Sequence, residues 1–166
     1  MESSIPAAVI AAVLMVSVVV LARAGYHSVD EMGLVWKQME ARAGEQARTQ
    51  LTVTNVTSTS PYVDVELLND GSTTLADYAR MDVIVNCTTG GGAPVVAWIP
   101  YTSGPLTENT WTVQGIANDS FEPGIFNPGE TLRMRIWLEP AAGGGTTNRL
   151  LVATDLGVTV STTFTG

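Results

Sequence analysis

Hydrophobic positions in this chain change their period once, and the change divides it in two. From Ile5 to Ala22 run eighteen residues without a charge, IPAAVIAAVLMVSVVVLA, bounded by Glu2 and Arg23. As a helix this stretch is about 27 Å long, the thickness of a bilayer's hydrocarbon core, so a membrane-inserted state is expected at some stage. Ser3 or Ser4 is placed to cap its start, and Pro6 falls in the first turn, where a missing N–H costs nothing. Beyond Arg23 the apolar positions narrow to one seam. Val29, Met32, Trp36, Met39 and Ala43 step by 3, 4, 3 and 4 residues, while Asp30, Glu31, Lys37, Gln38, Arg42 and Glu45 occupy the other face. An unbroken helix from Ile5 to Arg48 would be about 65 Å long, and a helix of that length needs partners along it.

From Leu51 the period falls to two. Val63, Val65 and Leu67 alternate with Asp64 and Glu66, and Leu132, Met134, Ile136 and Leu138 alternate with Arg133, Arg135 and Trp137. Both stretches read as half-buried strands. Further strands are expected in LTVTNV, MDVIVN, PVVAWI, NTWTVQ, RLLVAT and GVTVSTTF. Between them lie turn formers: Asn69-Asp70-Gly71, Gly90 to Gly92, Ser103-Gly104-Pro105, Asn127-Pro128-Gly129 and Gly143 to Gly145. The fold class is therefore α+β, a long N-terminal α-helix (1–50) followed by an immunoglobulin-like antiparallel β-sandwich (51–166) of about eight strands.

Charge is distributed unevenly over these parts. Sixteen acids against eight bases give a net charge of −8. Residues 1–50 hold five acids and four bases, leaving −1 there and −7 for the rest, where Arg80, Arg133, Arg135 and Arg149 are the only bases. Such a surface repels a phosphate backbone, and nucleic acid is excluded as a partner. The flanks of the apolar run carry a second message. No base precedes it and Arg23 follows it, so the positive-inside bias alone would keep the C-terminal domain in the cytoplasm. A basic leader already removed by processing resolves this, with Met1 as the mature N-terminus.

Catalytic chemistry finds few carriers. Cys87 is the single cysteine and His27 the single histidine, which excludes an intrachain disulfide, a thiolate zinc cluster and multi-histidine metal sites. Cys87 reads as a small buried residue and His27 as a solvated helix position. Asp64, Glu66, Asp70, Asp77 and Asp82 have the chemistry for acid–base work or calcium, but their spacing suits outward strand and turn positions. No phosphate-binding glycine motif occurs. Enzyme activity, catalytic residues, cofactors and metal ligands are accordingly not expected. Three sequons, at Asn55, Asn86 and Asn118, are possible N-glycosylation sites and favour an outside location.

The segment SSIPAAVIAAVLMVSVVVLA, leading through a long helix into a sandwich, resembles archaellins and related type IV pilin-like proteins. Within the sandwich, VDVELLNDGSTTLADYARMDVIV and FNPGETLRMRIWL are similar to segments of archaellins and of archaellum accessory proteins. Glu2 does not sit at the fifth position characteristic of bacterial type IV pilins, so an archaellin is the better match. The resemblance implies export as a precursor held in the cell membrane, removal of a leader peptide, and polymerisation into an extracellular, cell-surface filament used for swimming. It implies self as the main partner, with a basal motor and membrane platform during assembly. Ile5, Val9, Val13, Leu14, Val16, Val20 and Leu21 would then form the filament core and Val29, Met32, Trp36, Met39 and Ala43 the sheath contact. An adhesive pilin and a membrane-anchored archaellum accessory protein that binds the cell envelope are the alternatives, and a secreted hydrolase ranks last.

Overall fold

The computed structural model describes the backbone of residues 4–166, and the side-chain surroundings of all of these except 4–8 and 24–31. Its chain divides into two compact units, Met1–Ala43 and Gly44–Gly166. Helix α1 runs Ser4–Arg48, with Arg48 in its last turn, where a cation faces the negative end of the helix dipole. Its apolar residues from Val9 to Leu21 are exposed all round, as are Met32, Leu34, Val35, Trp36 and Met39. Among the described residues no helix is long and apolar enough to cross a membrane; the side chains of Ile5 to Ala8, which begin the eighteen-residue run, lie outside them.

Eight strands follow: β1 Leu51–Thr59, β2 Tyr62–Asn69, β3 Asp82–Thr88, β4 Pro94–Ile99, β5 Trp111–Ala117, β6 Thr131–Trp137, β7 Thr147–Ala153 and β8 Thr159–Thr165. Each contains or overlaps one of the period-two segments of the sequence. They form two antiparallel four-stranded sheets, ordered β1-β2-β6-β5 and β4-β3-β7-β8. With the strands lettered A, B, C, C′, D, E, F and G, this is the A-B-E-D and C′-C-F-G arrangement of immunoglobulin-type sandwiches. The edges β1 and β8 approach each other and close one side.

Alternation sends one face of every strand inward. Val63, Val65 and Leu67 from β2, and Leu132, Met134 and Ile136 from β6, meet Val83, Val85 and Cys87 from β3 and Leu150 and Val152 from β7. Trp111 and Phe126 are the bulkiest fully buried side chains. This unit therefore has a complete apolar core of its own, which dominates its stability. Cys87 lies in that core, and burial pushes its thiol pKa up, as expected for an inert packing residue.

Candidate assembly surfaces

The last turn of α1 belongs to the sandwich unit, and the turn Asn69-Asp70-Gly71 holds it there. A helix end leaves its final carbonyls without partners. Here the Arg48 carbonyl accepts the Ser72 N–H at 2.8 Å, and the Gln50 carbonyl accepts Asp70 N–H at 3.2 Å and Gly71 N–H at 3.1 Å. The Thr49 hydroxyl lies 2.6 Å from the Thr73 hydroxyl and also donates to the Glu45 carbonyl at 2.9 Å. The Asp70 carboxylate accepts from the Thr52 hydroxyl at 2.8 Å and from the Gln50 amide at 3.2 Å. Gly71 is required by space: a Cβ there would sit 2.5 Å from the Gln50 nitrogen and 2.6 Å from the Arg48 oxygen. Sequence reasoning identified this turn only as a strand connector. Its role as the clamp on the helix terminus needs a contact across more than twenty residues that no local pattern reveals.

The second motif turn, Asn127-Pro128-Gly129-Glu130, packs against the first. Gly129, with φ +82°, lets its N–H reach the Asn69 carbonyl at 2.7 Å. The buried Glu130 carboxylate accepts the Asn127 N–H at 2.8 Å, and the Asn127 amide donates to the carbonyls of Phe121 and Ile125.

The two sheets present different outer faces. Across β2 and β6, Arg135 forks onto Asp64 with bonds of 2.6 and 2.9 Å, and Arg133 meets Glu66 at 3.2 Å. Hydrogen bonding to Asp64 raises the Arg135 pKa further above its ordinary value, and its guanidinium also lies 5.6 Å from the Tyr62 ring. A groove of about 240 Å³ beside these pairs is lined by Asn55, Thr57 and Gln114 among others, and its charges already satisfy one another. Four of the five carboxylates singled out from the sequence thus have structural partners: Asp64 and Glu66 in these pairs, Asp70 in the clamp, and Asp82 with the Trp98 indole N–H at 2.9 Å. Among the described residues no three Asp, Glu, His or Cys gather to hold a metal.

On the other sheet, the outer face carries apolar side chains. Strand β4 turns Val95, Ala97 and Ile99 inward and leaves Val96 and Trp98 outward at 70% and 61% exposure, beside exposed Ile84 on β3. The signal was present in the sequence, because PVVAWI is apolar on both faces where YVDVEL is apolar on one.

Among residues expected to serve assembly, Val9, Val13, Leu14, Val16, Val20 and Leu21 are exposed on α1, as are Met32, Trp36, Met39 and Ala43. The side chains of Ile5, Val29 and His27 lie outside the described residues. The sequon asparagines are all exposed but lie apart: Asn55 on β1, Asn86 on the outer face of β3, and Asn118 in a left-handed turn (φ 64°) after β5.

No protein-family model and no curated protein matches the chain. Solved structures do. The archaellum periplasmic stator protein FlaG from Sulfolobus acidocaldarius is 26% identical over 70% of this chain and 99% of its own, with a TM-score of 0.53. The archaellum periplasmic stator protein complex of FlaF and FlaG from the same organism gives 26% identity over 70% of this chain and 89% of the matched chain, also at 0.53. The archaeal flagellum of Methanospirillum hungatei strain JF1 is 13% identical, covers 98% of this chain and 93% of its own, and has a TM-score of 0.59. These neighbours are archaellum structural proteins and not enzymes, and the sandwich is archaellin-like in fold.

Proposed function

We propose that this chain, whose archaellin-like sandwich is shared with archaellum stator and filament proteins, is a non-enzymatic archaellum component of the stator type. In this reading the N-terminal helix lies in the membrane and the sandwich stands outside it. The observation that carries it is the 26% identity to a periplasmic stator protein aligned over 99% of that protein's length. That alignment covers 70% of the present chain, about the share that the sandwich makes up.

The physical features agree with the role. A static structure beside a rotating filament needs a rigid body fixed to a membrane element. The clamp of Asn69-Asp70-Gly71 on residues 48–50 ties the last helical turn to a sandwich with a continuous core. The charge-free run from Ile5 to Ala22 supplies the length that membrane insertion needs. Polar side chains and sequons on the sandwich suit an aqueous, external location.

A second reading, a filament subunit, is favoured by a different observation. The flagellum alignment extends over 98% of the chain, so it takes in the helix as well as the sandwich. Apolar side chains all round the helix from Val9 to Leu21 suit a packed core of neighbouring helices as well as they suit lipid. Shearing filaments from the source cells separates the two. A stator-type protein stays with the cell envelope and its deletion leaves filaments that do not turn; a filament subunit dominates the sheared fraction, and that result overturns the stator reading. Leu14→Asp, which puts an unpaired charge into the apolar segment, abolishes function under both.

A further inference from the structure

We infer that the outer face of the β4-β3-β7-β8 sheet is a docking surface for a second copy of the same chain, related by a two-fold axis. The inference stands whichever archaellum role the chain performs.

Its first support is the contrast between the two outer faces. On the β1-β2-β6-β5 sheet the outward side chains of β2 and β6 are partnered within the face: charges in the Arg135–Asp64 and Arg133–Glu66 pairs, and the half-buried rings of Tyr62 and Trp137 edge-to-face on each other at 5.5 Å. On the opposite sheet, Trp98, Val96 and Ile84 are left exposed together. A clustered aromatic and aliphatic patch on an otherwise acidic sandwich marks an interaction site.

The second support is the register, which makes this face self-complementary. Trp98, Ile84, Leu151 and Ser161 form one row across the four strands, since Ile84 pairs with both Trp98 and Leu151, and Leu151 with Ser161. Asp82 and Ala153 lie in the outward row on one side; Val96, Asn86, Arg149 and Thr163 lie in the outward row on the other. Asp82 and Asn86, which flank Ile84 on β3, are separated by about 13 Å at 3.3 Å per residue. A two-fold axis running along the central row, between two sheets laid face to face, exchanges the flanking rows. Trp98 then meets Trp98 of the second copy, and Ile84 meets Ile84. Asp82 of each copy comes one strand spacing, about 4.8 Å, from directly opposite Arg149 of the other, within reach of an arginine side chain. Such an isologous contact repeats each pair twice and closes on itself.

The charges required are available. Among the described residues, neither Asp82 nor Arg149 forms an ion pair: Asp82 accepts from the Trp98 indole, and Arg149 donates to the Ser161 hydroxyl at 3.2 Å. Asp82 therefore fixes the Trp98 ring and keeps a free carboxylate oxygen for the second copy.

The test uses the full chain in detergent or native membranes. Ile84→Cys, on the axis, should give a disulfide-linked homodimer under mild oxidation. Thr57→Cys, on the outer face of the other sheet, should not, and neither should the parent chain with buried Cys87. Asp82→Arg and Arg149→Asp should each weaken dimerisation about tenfold or more by setting like charges opposite one another, and the double reversal should restore most of it. Three results would overturn the inference: a cross-link from Ile84→Cys to a protein of another mass, a double reversal no better than the single changes, or a glycan on Asn86 of the native protein covering the patch.

Discussion

The backbone N–H of Asn69 donates to the carbonyl of Glu130 at 3.1 Å while its own carbonyl accepts the Gly129 N–H at 2.7 Å, so the two motif turns of the sandwich meet at Asn69. Asn69 is fully buried, and its side chain is satisfied on both ends. Its amide donates to the carbonyls of Thr73 at 2.8 Å and Phe126 at 3.2 Å, and its oxygen accepts the Gly71 N–H at 3.2 Å. Asn69→Ala removes all three side-chain bonds at a fully buried position; the Gly71 N–H keeps the Gln50 carbonyl and the Phe126 carbonyl keeps the Leu75 N–H, but the Thr73 carbonyl loses the Asn69 amide. A loss of about 2 to 4 kcal/mol in unfolding free energy is expected, measurable by chemical denaturation of the chain in detergent. Asn69→Asp should be little better, because a carboxylate cannot donate to either carbonyl.

Gly71 tests the clamp on the helix terminus. Gly71→Ala drives a methyl group into the backbone of Arg48 and Gln50, atoms that cannot move without opening the helix–strand junction. Overpacking of this kind costs about 1 to 3 kcal/mol. Ser72→Ala is the control, since Ser72 contributes only its backbone N–H to the Arg48 carbonyl. It should be nearly neutral in thermal denaturation, and swimming should fall only in the glycine variant.

How much of this was legible beforehand can be argued from the same residues. The strands followed from alternation, because a sheet with one buried face must place Val63, Val65 and Leu67 on the same side. The turns followed from glycine, asparagine and proline chemistry. The contacts between them did not, because Asn69 and Glu130 lie sixty-one residues apart in sequence, and their hydrogen bond depends on β2 and β6 being neighbours. The patch of Trp98, Val96 and Ile84 was legible only in part, since PVVAWI shows that β4 is apolar on both faces but not what lies beside it. Period two assigns faces within a strand, but only strand order shows that the outward residues of β3 and β4 share a surface. The seam from Val29 to Ala43 favoured a filament subunit over a plain anchor, but a stator-type protein also asks for an apolar helix joined to a sandwich, and the archaellum neighbours include both kinds.

Trp111 makes a prediction about shape against hydrogen bonding. It is fully buried, packs at 4.8 Å between ring centroids against Tyr101, and its indole N–H finds no partner among the described residues. Trp111→Ala should cost about 3 to 5 kcal/mol through the cavity it leaves. Trp111→Phe loses volume but also removes an unsatisfied buried donor, so it should cost clearly less than half as much. A phenylalanine variant as unstable as the alanine variant in urea would mean that the indole N–H is bonded after all.

Tyr78 gives the sandwich a distinct alkaline limit. Burial, together with Tyr101, Asp119 and Glu130 nearby, pushes its phenol from an ordinary pKa of 10.0 up to about 12, and the hydroxyl donates to the Gly124 carbonyl at 3.0 Å. The folded state therefore keeps a proton that the unfolded chain releases near pH 10. Stability from this group is complete below pH 10 and is lost as pH rises from 10 toward 12, because over that window the unfolded state binds fewer protons than the folded one. Tyr78→Phe forfeits the hydrogen bond and should lower the melting temperature slightly at pH 7, but it removes the titrating group. Melting curves taken between pH 9 and 12 should fall more steeply for the parent than for this variant; parallel curves would show that Tyr78 does not govern the alkaline transition.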